Sequence, residues 1–127
     1  MPDCLEVELK DVDEAGEAEL IACQNDQFRA ERGSQRSIPG KWVLTAGVHD
    51  MGPEFIKLAV EAVSAFSTFT EENDPYGERD FGAFQIEGKK LFWKIDHYDR
   101  AYCTGSRKRS DLSQTARALT ILFPHEY

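Results

Sequence analysis

Asp74, Glu78, Asp80, Asp96, His97 and Asp99 form the densest set of side chains in this sequence that can do acid–base or metal chemistry. Glu78 and Asp80 flank the start of one strand-like run, Phe81 to Glu87, and Asp96 and His97 close the next, Lys90 to Tyr98, with Gly88 in the connection. In an antiparallel hairpin the start of the first strand lies beside the end of the second. Glu78 and Asp80 are therefore expected to meet Asp96 and His97. Glu78, Asp80, Asp96 and His97 would be the catalytic groups of a metal-dependent hydrolase or nuclease. Glu78, Asp80, Asp96 and Asp99 would be its oxygen ligands for Mg²⁺ or Mn²⁺, polarising a water molecule. The competing expectation is structural, with no catalytic residue, metal or cofactor. Asp74 in Asn73-Asp74-Pro75 is then a turn residue, and Asp80 or Asp96 pairs with Arg79, Lys94 or Arg100.

Other chemical motifs are thinner. Asp80 with Glu87-Gly88-Lys89 has the outline of a nuclease acid…Glu-x-Lys arrangement, but Gly88 is expected to turn the chain there and send both side chains to solvent. Cys103 precedes the basic run Arg107-Lys108-Arg109, which reads as a surface loop beside a free thiol. Neither a Gly-rich phosphate loop nor a Ser-centred elbow is present.

The elements that must position these groups follow from patterning. Cys4 to Val12 alternates, Leu5, Val7 and Leu9 against Glu6, Glu8 and Lys10, as a possible edge strand would. Asp13 can cap a helix running to about Arg32, with Leu20, Ile21, Gln24 and Phe28 on one face and Gly33 as its stop. Asn25, Asp26 and Arg29 are expected to reach the hairpin carboxylates, with Arg29 paired to Asp80 or Asp96. Trp42 to Val48 is β-rich. Pro53 opens a second helix carrying Phe55, Ala59, Ala62 and Phe66, expected to end near Phe69. After the hairpin and a polar loop at 101–115, Arg117 to Phe123 is a last strand. Trp42 and Trp93 belong in the core, whereas Phe92 and Tyr98 share the opposite face with Lys94 and Asp96, a surface suited to a protein partner. The expected fold is α+β, a mainly antiparallel four- to five-stranded sheet with two helices packed on one face. Residues 1–19 are an acidic N-terminal extension, and 20–127 are one domain.

Composition narrows the function classes. The 127 residues carry 15 Lys and Arg against 23 Asp and Glu, a net charge of −8, which argues against direct general nucleic-acid binding. The charge is uneven: residues 1–80 hold 18 acids and 7 bases, and residues 81–127 hold 5 acids and 8 bases. No apolar run approaches the length of a membrane helix, and the acidic N-terminus has no signal-peptide pattern. Cys4, Cys23 and Cys103 are odd in number and widely spaced, as expected of free thiols in a cytoplasmic protein.

Several segments resemble the bacterial family called domain of unknown function 3768: Asn25-Asp26-Gln27-Phe28-Arg29, Thr45-Ala46-Gly47-Val48, Asn73-Asp74-Pro75-Tyr76-Gly77-Glu78, Asp80-Phe81-Gly82-Ala83-Phe84, Phe92-Trp93-Lys94-Ile95-Asp96, Tyr98-Asp99, Leu119-Thr120-Ile121 and Glu126-Tyr127. The resemblance covers residues 20 to 127. Where the family often has His, this chain has Arg79, and where it often has Tyr, this chain has His97. The family's setting on alphaproteobacterial mobile elements implies an accessory role such as defence inhibition.

Charge and resemblance together lead to the expectation of a non-enzymatic acidic binding protein. It would be a mobile-element or phage inhibitor of CRISPR or restriction machinery, docking on a partner protein with a basic surface through Glu6, Glu8, Asp11, Asp13, Glu14, Glu71, Glu72 and Asp74. The hairpin carboxylate hydrolase is the alternative.

Overall fold

The computed structural model describes residues 14–34 and 36–127. Its elements are α1 (Glu14–Glu31), β1 (Gly40–Leu44), α2 (Ala46–His49), α3 (Pro53–Ser64), β2 (Phe81–Ile86), β3 (Lys89–Tyr98), β4 (Ala116–Leu122) and a closing 3₁₀ turn (Pro124–Glu126). The fold is α+β. The possible edge strand at 4–12, and with it Glu6, Glu8, Asp11 and Asp13, lies outside the described residues.

The four strands form one sheet in the order β1-β4-β3-β2. β2 and β3 pair antiparallel across a two-residue turn in which Glu87 (φ 52°) and Gly88 (φ 79°) both take the left-handed backbone that matches strand twist. β3 and β4 are also antiparallel, but β1 runs parallel to β4, with Trp42 opposite Leu119. The sheet is therefore mixed rather than purely antiparallel, and it meets three helices rather than two. Residue periodicity gives no signal for this pairing, because parallel and antiparallel strands share the same alternation; a parallel pair is made by a long crossover.

Two boundaries also differ from the sequence pattern. β1 stops at Leu44 because Ala46–His49 turns into a short helix whose start is gripped by Glu126. Thr45 Oγ1 donates to Glu126 Oε1 at 2.7 Å, Gly47 N–H to Oε2 at 3.1 Å and Phe123 N–H to Oε1 at 2.9 Å. α3 ends at Ser64 rather than near Phe69. Arg29 Nη1 donates to the carbonyls of Val63 (3.1 Å) and Phe66 (2.8 Å), so a side chain from α1 satisfies the end of α3. Phe66 and Phe69, freed from the helix, set their rings edge-on to Trp93 at 5.4 and 6.1 Å.

The core joins Phe28 of α1, Val48 of α2, and Phe55, Ala59 and Val63 of α3 to Leu91, Trp93, Ile95, Leu119 and Ile121 of the sheet. Trp42, Leu44, Phe84 and Ile86 pack against it half-buried. All of these strand residues belong to one alternating set in the sheet's register. Of the other set, Val43, Phe81, Ala83, Phe92, Lys94 and Asp96 stand outside this core, whereas its β4 members Ala116, Ala118 and Leu122 are buried. Among the described residues, no helix is long and apolar enough to cross a membrane.

Candidate functional site

α1 buries polar as well as apolar side chains. Gln24, Asn25 and Arg29 are inside along with Leu20, Ile21 and Phe28. For Gln24 and Asn25 the explanation is Arg117, which sits on the inward set of β4 beside Leu119 and Ile121 and has no exposed surface. A guanidinium there must be met by fixed acceptors. Its Nε donates to Asn25 Oδ1 at 2.7 Å and its Nη2 to Gln24 Oε1 at 2.9 Å. Asn25 Nδ2 in turn donates to the Glu78 carbonyl at 2.9 Å, and Gln24 Nε2 to the Ser110 carbonyl at 2.9 Å. These two amide donors fix which amide atom is oxygen in each residue.

His97, paired with Arg117 across β3 and β4, places Nε2 3.3 Å from the same Asn25 Oδ1. That oxygen only accepts, so His97 carries its hydrogen on Nε2. Burial first, then the positive charges of Arg117 and Arg109, push the imidazole down to about 3. His97 is thus neutral across the physiological range.

Glu78 is held by Arg109 in a two-pronged ion pair, Nη1 to Oε1 at 2.7 Å and Nη2 to Oε2 at 2.6 Å. Asp80 lies close by, and burial, then the negative charges of Glu78 and Asp74, raise its carboxyl above the usual range. So Glu78, Asp80 and His97 come to one region, as the hairpin argument expected. Asp96 does not join them. It alternates with Ile95 and His97, faces the other way and pairs with Lys94 at 3.1 Å. Neighbouring strand residues point to opposite faces, so Asp96, on the face of Phe92, Lys94 and Tyr98, cannot accompany His97. Asp99 is also elsewhere: its carboxylate accepts from the Ala101 and Cys103 N–H groups and from Thr104 Oγ1, closing a surface turn. Among the described residues, no three His, Cys, Asp or Glu side chains are placed to hold a metal ion.

Arg29 reaches neither Asp80 nor Asp96. It pairs with Asp26 on its own helix at 2.5 Å, and Arg79 binds the other oxygen of Asp26. The Phe69 ring lies near both guanidinium groups, 5.3 Å from Arg29 and 5.9 Å from Arg79. The i, i+3 spacing of Asp26 and Arg29 signalled this pair.

The acidic contact residues are scattered. Glu14 opens α1, Glu71 and Glu72 are exposed in the loop after α3, and Asp74 accepts the Arg79 N–H at 2.9 Å. Cys23 and Cys103 are free thiols.

The alternating set of strand residues outside the core carries a row of rings. Phe81 of β2 and Phe92 of β3 have centroids 5.1 Å apart, and Tyr127 stands edge-on to Phe92 at 6.1 Å. Phe81 and Phe92 are half-buried, and Tyr127 is 78% exposed. Lys90 Nζ lies 5.4 Å from the Phe92 centroid and Lys94 Nζ 5.9 Å from that of Tyr127. At the far end of β3, Tyr98 neighbours Tyr102 at 6.0 Å, and Lys41 from β1 sits 4.3 Å from the Tyr102 ring. Phe92 and Tyr98 do share a face with Lys94 and Asp96, as period-two alternation required.

The family model described as "Protein of unknown function (DUF3768)" matches residues 44–126. The chain belongs to this family. No curated protein and no solved structure matches it. Within the DUF3768 match lie Glu78, Arg79, Asp80, His97, Arg109 and Arg117, together with Phe81 and Phe92. Gln24, Asn25, Asp26 and Arg29 lie before it, so in this DUF3768 chain the buried arginine of the family region is met by acceptors from a helix preceding the match.

Proposed function

We propose that the protein is a binding module, not an enzyme, and that it engages its partner through the aromatic, lysine-bearing face of the sheet. The observation that carries this reading is the Phe81–Phe92–Tyr127 row with Lys90 and Lys94 against it; Phe81, Phe92 and both lysines are on strand positions outside the core cluster, and Tyr127 follows the closing turn. Rings presented on a rigid sheet lose little conformational freedom on binding, and flanking charges select the partner. The carboxylates that a hydrolase would use are instead engaged: Glu78 by Arg109, Asp96 by Lys94, Asp99 by its own turn.

Position-specific photo-crosslinking in expressing cells tests the reading. A photoreactive phenylalanine analogue at position 127 captures the partner. The same probe at Leu58, exposed on α3, captures nothing. Capture from Glu71 instead of 127 would transfer the docking site to the acidic loop and favour inhibition of a defence protein with a basic surface.

Asp80 supports a second, hydrolytic reading, because its raised carboxyl sits beside Glu78 and no ion pair holds it among the described residues. A thermal-shift screen with Mg²⁺, Mn²⁺, Ca²⁺ and Zn²⁺ decides: a metal-specific rise in Tm that Asp80→Asn abolishes would favour the hydrolase, and no rise favours the binding module.

A further inference from the structure

Resting on the proposed docking face, we infer that its occupant is a single-stranded nucleic acid, with bases stacked on the rings and phosphates met by the lysines. Single strands are recognised by aromatic side chains on an open sheet, interleaved with cations that track the backbone. Both parts are present here in pairs. One end of the face has Phe81, Phe92 and Tyr127 with Lys90 and Lys94, and the other has Tyr98 and Tyr102 with Lys41.

The two ring groups are separated along β3 by the distance from Phe92 to Tyr98, about 20 Å at the ~3.3 Å rise of a strand. A short run of nucleotides spans that length, within the ~4–16 nucleotide sites of comparable platforms. Among the described residues of β1 to β4, Lys41, Lys90 and Lys94 share this face with one acid, Asp96, which Lys94 already pairs. The net charge of −8 is a property of the whole chain, and 18 of its 23 acids lie in residues 1–80. A duplex offers no free base faces to the rings, so the face selects single strands.

Fluorescence anisotropy with labelled 15-nucleotide oligouridylate, oligothymidylate and a duplex of equal length tests the inference. The single strands bind and the duplex does not; comparison of the two single strands tells RNA from DNA. Tyr127→Ala weakens binding about tenfold, the scale of one lost stacking platform. Lys90→Gln with Lys94→Gln makes the slope of log affinity against log salt shallower by about 1.4, at ~0.7 for each lost phosphate contact. Leu58→Ala changes neither value, and unaltered circular dichroism shows that the variants fold.

Absence of single-strand binding at low salt overturns the inference, as does binding that ignores the Tyr127 and lysine variants. Equal binding of a labelled polyglutamate peptide, lost in the same variants, would identify an acidic protein as the occupant. If oligonucleotides fail while position 127 still captures a partner, the docking face stands and only its nucleic-acid occupant is overturned. If position 127 captures nothing either, the docking face fails with it.

Discussion

Asn25 and Arg117, from opposite ends of the chain, meet where neither has any exposed surface: the amide oxygen of one lies 2.7 Å from Nε of the other. The contact ties α1 to β4. It also makes the amide of Asn25 a junction, since its oxygen serves Arg117 and His97 while its nitrogen serves the Glu78 carbonyl.

Asn25→Ala removes an acceptor from a buried cation and a donor from a buried carbonyl. Hydrogen bonds to charged groups contribute ~1.5–3 kcal/mol, so the substitution is expected to cost about 3 kcal/mol. Urea unfolding of the two proteins measures it. A loss below about 1 kcal/mol would mean that water replaces the amide.

His97 makes stability depend on pH in a defined direction. Its folded value, about 3, lies below its ordinary value of 6.5, so below pH 6.5 the unfolded chain takes up a proton that the native state refuses. Above that pH the group contributes no dependence. Between pH 6.5 and about 3 it costs stability at up to ~1.4 kcal/mol per unit. His97→Gln, which keeps a donor for Asn25, removes this component. The stability of wild type relative to His97→Gln therefore declines as the pH falls through that window, and parallel curves would contradict the burial of a neutral imidazole.

Asp80 has the opposite sense. Its carboxyl is raised, so its ionised form is unfavourable in the native state, and protonation on acidification relieves that cost. Asp80→Asn is expected to raise Tm at pH 7, because it removes the desolvation cost of the carboxylate and its repulsion by Glu78 and Asp74. The advantage shrinks as the pH falls and the wild-type carboxyl takes up its own proton. Calorimetry at pH 7 and pH 4 reads both effects. A variant less stable at pH 7 would show that the carboxylate is needed structurally.

Gly82 tests the packing at Trp93. An added Cβ would run into Trp93 Nε1 and lie 2.7 Å from Phe66 Cζ. Trp93 is fully buried and cannot yield. Gly82→Ala is expected to cost about 3 kcal/mol, at the upper end of overpacking, and to shift the tryptophan fluorescence of the folded protein. Gly82→Ala with Phe66→Leu should recover part of the loss by opening room beside the ring.

How far the sequence discloses this arrangement depends on the kind of signal. Pro53 and the apolar spacing after it locate α3, and the Phe81–Tyr98 alternation locates the hairpin and its two faces, because both signals are local. α1 is placed correctly, with Gln24 on its inward face, but what its polar side chains meet is hidden: Gln24 and Asn25 serve Arg117, and Arg29 serves the end of α3. One sign was available. Arg117 shares the period-two phase of Leu119 and Ile121, and a cation on an inward position demands buried acceptors elsewhere in the chain. The grip of Arg109 on Glu78 and of Glu126 on Gly47 joins residues 31 and 79 positions apart, and nothing in the local pattern of either partner announces it.

The place of β4 has a consequence for synthesis. It sits between β1 and β3, yet all its neighbours precede it in the chain. While a ribosome has produced only the first hundred or so residues, the β2–β3 hairpin can pair, but β1 has nothing to lie against and Gln24 and Asn25 await their arginine. The sheet closes only after Leu122 has been made. Folding of the sheet is therefore deferred until β4 has been made, and a nascent chain stalled before Ala116 would leave Trp93 and Ile95 without the strand that covers their flank, a ready target for chaperones and proteases.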